Sequence, residues 1–390
     1  MKKIMAAVCA ASFGILLILL LLVTIGEYKN VMSDITSAGL NPQSMPGQDE
    51  QATVWETESI SAIIGQETVP SVVLEFEGKA ELLFAGDICI QDYIAGYYDK
   101  DGILGIVSEE LRAEMTTADI MAANQEFAFS ERGTPMEDKQ YTFEIAPKYT
   151  SIFTELGIDI VSLANNHSLD YGQEALLDSF DALDAAGIRY VGAGKNLERA
   201  KKLEIIAVDG MKIGFLAASR VIPVHSWNAG ENTPGMLTTY DPSALITEIE
   251  KGKKLCDVLI VYVHWGEEGN DFPEDYQKVM ARQYIDAGAD AVIGSHPHVM
   301  QGIETYKGKL IAYSLGNYIF TPRTGKGALL RMTFRQDGTQ EAELLPFDAS
   351  AFPVTVLEEE KQSDFFRYME SISFGISIDE AGRICYTFDN

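Results

Sequence analysis

GIDIVSLANNHSLDYGQEALLDSFDALDAA, residues 157–186, carries the pattern that decides the fold. Residues 159–164 are an apolar run of strand length, Asn165, Asn166 and His167 follow at its end, and residues 173–186 place apolar side chains at helical spacing. A short buried strand, a polar turn and an amphipathic helix make one unit of an α/β domain. The unit recurs on both sides. Strands are expected at 80–85, 119–123, 203–208, 212–217, 257–263 and 290–294, with helices at 242–254 and 274–287. Asp209-Gly210 between two apolar runs reads as a two-residue hairpin turn, so part of the structure is antiparallel and the sheet is mixed. Beyond Gly316, strands at 328–334 and 342–345 and a helix at 364–371 complete the reading, with no internal repeat.

Polar residues gather at the ends of these apolar runs: Gly86-Asp87, Asn124-Gln125-Glu126, Asn165-Asn166-His167, His264-Trp265-Gly266 and His296-Pro297-His298. In open α/β sheets ligands bind beyond the carboxyl ends of the strands, because the following loops all emerge there. Asp, Glu, Asn and His together offer mixed nitrogen and oxygen donors, which suit zinc, manganese or iron better than calcium. Taken singly, each group has a plainer explanation: an aspartate after a strand often caps the next helix, and Asn-Asn-His is a good turn. Their conjunction decides for a metal site, since four of the chain's five histidines stand at these strand ends. In extended backbone His296 and His298 would point to one side; on a loop they could reach one or two ions. The fifth, His225, reads as a loop or cleft-lining residue.

At 390 residues and 46% hydrophobic content, the chain can bury a substantial core. Residues 4–26 carry no charge, and at about 1.5 Å rise per residue such a helix spans the roughly 30 Å hydrocarbon core of a bilayer. A secretory signal has a shorter apolar region, usually about 7 to 15 residues, and a small-residue cleavage site that residues 23–27 lack. The segment therefore reads as an uncleaved anchor, and Lys2 and Lys3 before it keep the N-terminus cytoplasmic and send the main domain outside the cell membrane. The organisation expected is a short N-terminus and transmembrane helix over 1–28, a polar stalk over 29–78, the α/β domain over 79–347, and a C-terminal extension over 348–390 that packs on it. A net charge of −28 makes nucleic acid an improbable partner and would repel polyanions in general. Three cysteines outside the anchor, Cys89, Cys256 and Cys385, are too few and scattered for a disulfide framework.

Seven segments, in order, resemble the bacterial CapA family, which is linked to poly-gamma-glutamate capsule synthesis: FAGDICI (84–90), ADIMAANQEF (118–127), GIDIVSLANNHSLDYG (157–172), GIRYVGAG (187–194), VYVHWGEE (261–268), AGADAVIGSHPHVMQGIE (287–304) and IAYSLGNYIF (311–320). That family in turn is similar to the calcineurin-like metallophosphoesterases, which implies a four-layer α/β/β/α fold and a site for two divalent ions, manganese, iron or zinc. The resemblance implies metal ligands at Asp87, Glu126 (as the bridging carboxylate), Asn166, His264, His296 and His298. It implies catalytic roles for His167, Asp87 and Asn166, with His167 protonating a leaving group. Asn124, Asn165, Asp170, Glu267 and Asn317 join as further candidates. Two departures stand out. Cys89 occupies the place of a histidine in the first motif, where it could ligate as a thiolate or only pack, and Asn165 replaces a glycine.

The expected function is a membrane-anchored component of poly-gamma-glutamate capsule biosynthesis or export, meeting that or another envelope polymer beside membrane synthase and export subunits. The alternative is a stand-alone metal-dependent phosphoesterase, or amide hydrolase, acting on the cell envelope. A purely structural adhesion module would explain neither the histidine clustering nor its placement.

Overall fold

The computed structural model describes residues 77–321 and 325–386. Along the chain, β1 (Lys79–Ile88) is followed by α1 (Asp92–Asp101), α2 (Glu109–Thr117), β2 (Ile120–Gln125), α3 (Thr150–Glu155), β3 (Ile158–Ser162), α4 (Gly172–Ala186) and β4 (Arg189–Val191). Next come β5 (Glu204–Val208), β6 (Met211–Ser219), α5 (Ser243–Gly252), β7 (Val258–His264), α6 (Asp275–Ala287), β8 (Ala291–Ser295), β9 (Ile303–Tyr306) and β10 (Lys309–Ala312). Then follow β11 (Asn317–Ile319), β12 (Lys326–Arg335), β13 (Gln340–Asp348), β14 (Thr355–Val356) and α7 (Glu359–Ile372), and after them a short antiparallel pair, Ile376–Ile378 with Ile384–Tyr386.

Two large mixed sheets result among the described residues, beside three two-stranded ones. The first runs β14-β13-β12-β1-β2-β3-β4, with β11 also paired to β1; β1 to β4 are parallel and the β12 side is antiparallel. The second runs β9-β10-β8-β7-β6-β5, parallel at its centre and antiparallel at both edges. The Asp209-Gly210 turn joins β5 to β6, and both residues adopt the positive φ (44° and 79°) that this hairpin type requires.

Alternation along the second sheet sorts its side chains between two cores. Phe215, Ile260, Tyr262 and Ile293 join the cluster shared with the first sheet, whereas Leu216, Val261, Val263 and Val292 pack with Leu245, Ile249, Met280 and Tyr284 of α5 and α6. Phe84 of β1 meets Tyr262 of β7 across the inter-sheet core, ring centroids 6.0 Å apart. Each parallel crossover advances in one direction within its sheet, and right-handed connections then place that sheet's helices on one face. The outcome is sheet on sheet with helices outside.

Several expected boundaries shift. The strand expected to end at Ala85 continues to Ile88, because Asp87 pairs with Asn317 on one side and Asn124 on the other across a register shift. Gly86 makes this possible: a Cβ there would lie 1.9 Å from the Gly316 carbonyl oxygen. The strand expected to reach Ala164 stops at Ser162. The late helix is longer than 364–371, and its Phe365, Phe366, Met369 and Ile372 enter the shared core. No helix among the described residues is long and apolar enough to cross a membrane; the anchor and most of the stalk expected from the sequence lie outside those residues.

Candidate metal centre

The carboxyl ends of the parallel strands in the two sheets meet at one edge, and every strand-end group singled out above stands there. Asp87 lies within β1, Asn124 in β2 with Glu126 just past its end, and Asn165 to His167 follow β3. His264 is the last residue of β7, His296 and His298 follow β8, and Asn317 begins β11. Asp87, Asn124, Glu126, Asn165 and Asp170 are fully buried. Among the described residues, Asp87, Glu126 and His264 form one group whose donor atoms lie within 4.8 Å of one another, and Glu268, His296 and His298 form a second.

Amides hold these groups in place. The Asn124 side chain donates to Asp87 Oδ1 (2.8 Å) and Glu126 Oε2 (3.2 Å), holding the two carboxyl groups side by side. Asn165 donates to the Asn124 side chain and the Gln125 carbonyl and accepts from the His167 backbone, so it shapes the turn rather than facing the centre. Asn166 Oδ1 lies 2.7 Å from His264 Nε2, and Asn317 Oδ1 lies 2.8 Å from His298 Nδ1. His296 and His298 have φ of 101° and 59°, so of the two backbone settings considered for that pair it is the loop that the chain adopts. Such conformations for bulky residues persist only where the surroundings impose them, and they concentrate at functional sites.

His167 is set by a separate network. Asp170 Oδ2 lies 2.7 Å from its Nδ1, and the same carboxylate accepts from the Phe143 backbone (2.8 Å) and binds the Lys139 ammonium. Lys139 also reaches the Asn166 carbonyl, approaches His167 Nδ1 at 3.0 Å and stands over the Trp227 ring. Carboxylate and ammonium compete for Nδ1, and the charged acceptor at the shorter distance accepts the Nδ1–H hydrogen bond. Nε2 then faces the centre, 3.8 Å from Glu126 Oε1. Phe143 lies against the imidazole, ring centroids 4.5 Å apart.

The electrostatics are those of donors held close together. Burial, then the Asp87 charge, pushes the Glu126 carboxyl well above its ordinary range. Burial, followed by the other histidines, drives His264 well down, and burial with His298 brings His296 down to about 4. Burial also opposes charge on His298, but the Glu126 and Asp87 carboxylates outweigh it and push its pKa up to about 10. Glu126 Oε1 and His296 Nδ1 are buried without a hydrogen-bond partner. Buried donors of this kind normally have partners. Unpartnered carboxylate oxygen and imidazole nitrogen converging in one cleft fit a divalent transition metal, which takes neutral imidazole and ionised carboxylate as ligands.

A sequence profile described as "Bacterial capsule synthesis protein PGA_cap" matches residues 81–322, a stretch that contains all of these side chains. The chain belongs to that family. Among its relatives, the PGA biosynthesis protein CapA of Bacillus subtilis (strain 168) is 31% identical over 336 residues, covering 84% of this chain and 87% of that protein. The capsule biosynthesis protein CapA of Bacillus anthracis is 31% identical, over 71% of this chain and 70% of that one. Of solved structures, the NAD nucleotidase of Haemophilus influenzae overlaps with a TM-score of 0.43 at 11% identity, over 78% of this chain and 57% of that one.

Within this PGA_cap domain two of the further candidates stand outside both donor groups. Glu267 belongs to neither donor group: it is exposed, and its carboxylate lies 3.5 Å from the Asn270 amide, whereas its neighbour Glu268 stands with His296 and His298. Cys89 is fully buried beside Gln91 and belongs to neither donor group. His225 sits exposed in a short 3-10 turn, and it is Trp227 two residues on that reaches Lys139. Lys139 and Phe143 were missed because they come from the long loop between β2 and α3, where no periodicity marks which side chains turn inward.

Proposed function

We propose that this PGA_cap protein is a membrane-anchored component of poly-gamma-glutamate capsule biosynthesis or export, and that its outward domain carries a divalent-metal centre for hydrolytic chemistry. The observation that carries the chemical part is the convergence of Asp87, Glu126 and His264 with Glu268, His296 and His298 at one edge shared by both sheets. Family membership supports the capsule part, and the uncharged run over residues 4–26 supports the anchor. Membrane synthase and export subunits are the expected partners, because a single apolar segment cannot by itself form a path for a polymer. The excess of acidic side chains makes the metal centre, rather than the general surface, the place to meet an anionic polymer.

Asp87, Glu126, Asn166, His264, His296 and His298 would hold the metal, manganese, iron or zinc by donor type. When bound, such ions supply Lewis acidity and a water nucleophile at neutral pH. The chain's own contribution is proton management and positioning. Burial lowers the His167 pKa; Asp170 opposes that shift in part and fixes the ring so that Nε2 faces a leaving group as general acid. Phe143 and Phe320, against His167 and His298 respectively, limit water at the centre.

The same His167–Asp170 pair favours the second reading, a stand-alone phosphoesterase or amide hydrolase of the envelope. Full-length protein loaded with manganese, iron or zinc should cleave a chromogenic phosphodiester, and His167→Ala should lose that activity while keeping its metal. No cleavage with any of the three ions would remove the hydrolytic part. Recovery from membranes together with ligase-like and multi-span subunits supports the capsule assignment; full activity as a solitary protein supports the second reading.

A further inference from the structure

We propose that Glu268 is a metal ligand, completing with His296 and His298 the second of two adjacent ion sites; this rests on the metal centre described above. Its carboxylate lies with the donor nitrogens of both histidines inside a 4.8 Å group, a two-histidine, one-carboxylate set of the kind that binds iron, manganese or zinc. His296 Nδ1, in a side chain 5% exposed, has no hydrogen-bond partner, and nitrogen of that kind is a ligand atom awaiting an acceptor of its lone pair.

The loop that carries Glu268 is built for a fixed position. Gly266 takes φ +94° and donates its backbone N–H to the Tyr276 hydroxyl at 2.7 Å. Gly269 donates to the Pro297 carbonyl at 2.8 Å, tying the Glu268 loop directly to the His296-Pro297-His298 turn. The Gln301 side chain donates to the Asn270 carbonyl (2.8 Å) and is itself held by the Gln277 amide (3.0 Å). Among the described residues the Glu268 carboxylate makes no hydrogen bond or ion pair, so nothing competes for it. Glu267, by contrast, turns its carboxylate to Asn270. The two groups adjoin: His298 Nδ1 lies 3.4 Å from Asp87 Oδ2, His298 Nε2 lies 3.6 Å from Glu126 Oε1, and the His264 and His296 ring centroids are 4.7 Å apart. The loop after β7 thus supplies a donor to a centre in which Cys89 belongs to neither group.

The test is cobalt(II) titration of full-length protein, read by bound ions per chain and by the visible absorption of the bound cobalt, for wild type, Glu268→Gln and Glu267→Gln. Loss of a supporting residue around a metal typically weakens binding about 10- to 100-fold, so loss of a ligand should weaken one site by at least about 100-fold. Wild type and Glu267→Gln are expected to bind two ions with the same spectrum, and Glu268→Gln to keep one. Two ions with an unchanged spectrum in Glu268→Gln would overturn the assignment and leave the metal centre standing. No cobalt in wild type would overturn both. Glu268 is exposed and the substitution isosteric, so unchanged thermal unfolding of the metal-free variant checks that folding is not the cause.

Discussion

Asp170 and Lys139 illustrate how much of the centre depends on side chains that would touch no metal. Asp170 is fully buried, and its charge is balanced by a lysine whose side chain is 14% exposed. Removing one partner of such a pair leaves an uncompensated buried charge, at a cost of about 3 to 5 kcal/mol. Lys139→Met should therefore lower the unfolding free energy by about 3 kcal/mol in a denaturant titration, the low end because the Phe143 backbone still donates to the same carboxylate. An unchanged midpoint would mean that the pair is not held as described. Asp170→Asn should act on chemistry instead. Losing the group that orients a general acid typically costs about 100- to 10,000-fold in rate, with bound metal unchanged. A variant as active as wild type would remove His167 from the proton-transfer role.

At the scale of elements, the close approach of strands and loops at the sheet edge creates the site. Gly294 in β8 would place a Cβ 1.9 Å from the Tyr313 carbonyl oxygen and 2.6 Å from Trp265 Nε1, and neither is a flexible side-chain tip. Gly294→Ala should cost about 3 kcal/mol, the upper part of the range for overpacking, and should displace the turn carrying His296. Thermal unfolding and metal content of the same sample would show both, and wild-type values for both would contradict the packing described. The strands and the residues at their ends were legible in the sequence because apolar runs of strand length end in conspicuous polar residues. The choice between Glu267 and Glu268 was not. Adjacent carboxylates look alike in one dimension, and only the turn at Gly266 and the tie from Gly269 to Pro297 separate them. Lys139 was hidden for a related reason: it lies in a loop whose return to the β3 end is a tertiary event. The extension of β1 to Asp87 also depends on pairing with two strands, one of them distant in sequence.

For the whole molecule, the two sheets bring side chains from residue 87 to residue 317 to one edge, so folding and assembly of the centre are the same process. Ion binding to the folded chain alone must then stabilise it, by about 2.7 kcal/mol when the free ion is at 100 times its dissociation constant. The most direct measurement is the metal content and thermal unfolding of the full-length protein, with and without chelator, beside the His296→Ala plus His298→Ala double variant. The account predicts two transition-metal ions per chain in wild type, a midpoint that falls on chelation, and a double variant that loses metal and no longer responds to chelator. Equal metal content and an equal response in the two proteins would contradict it.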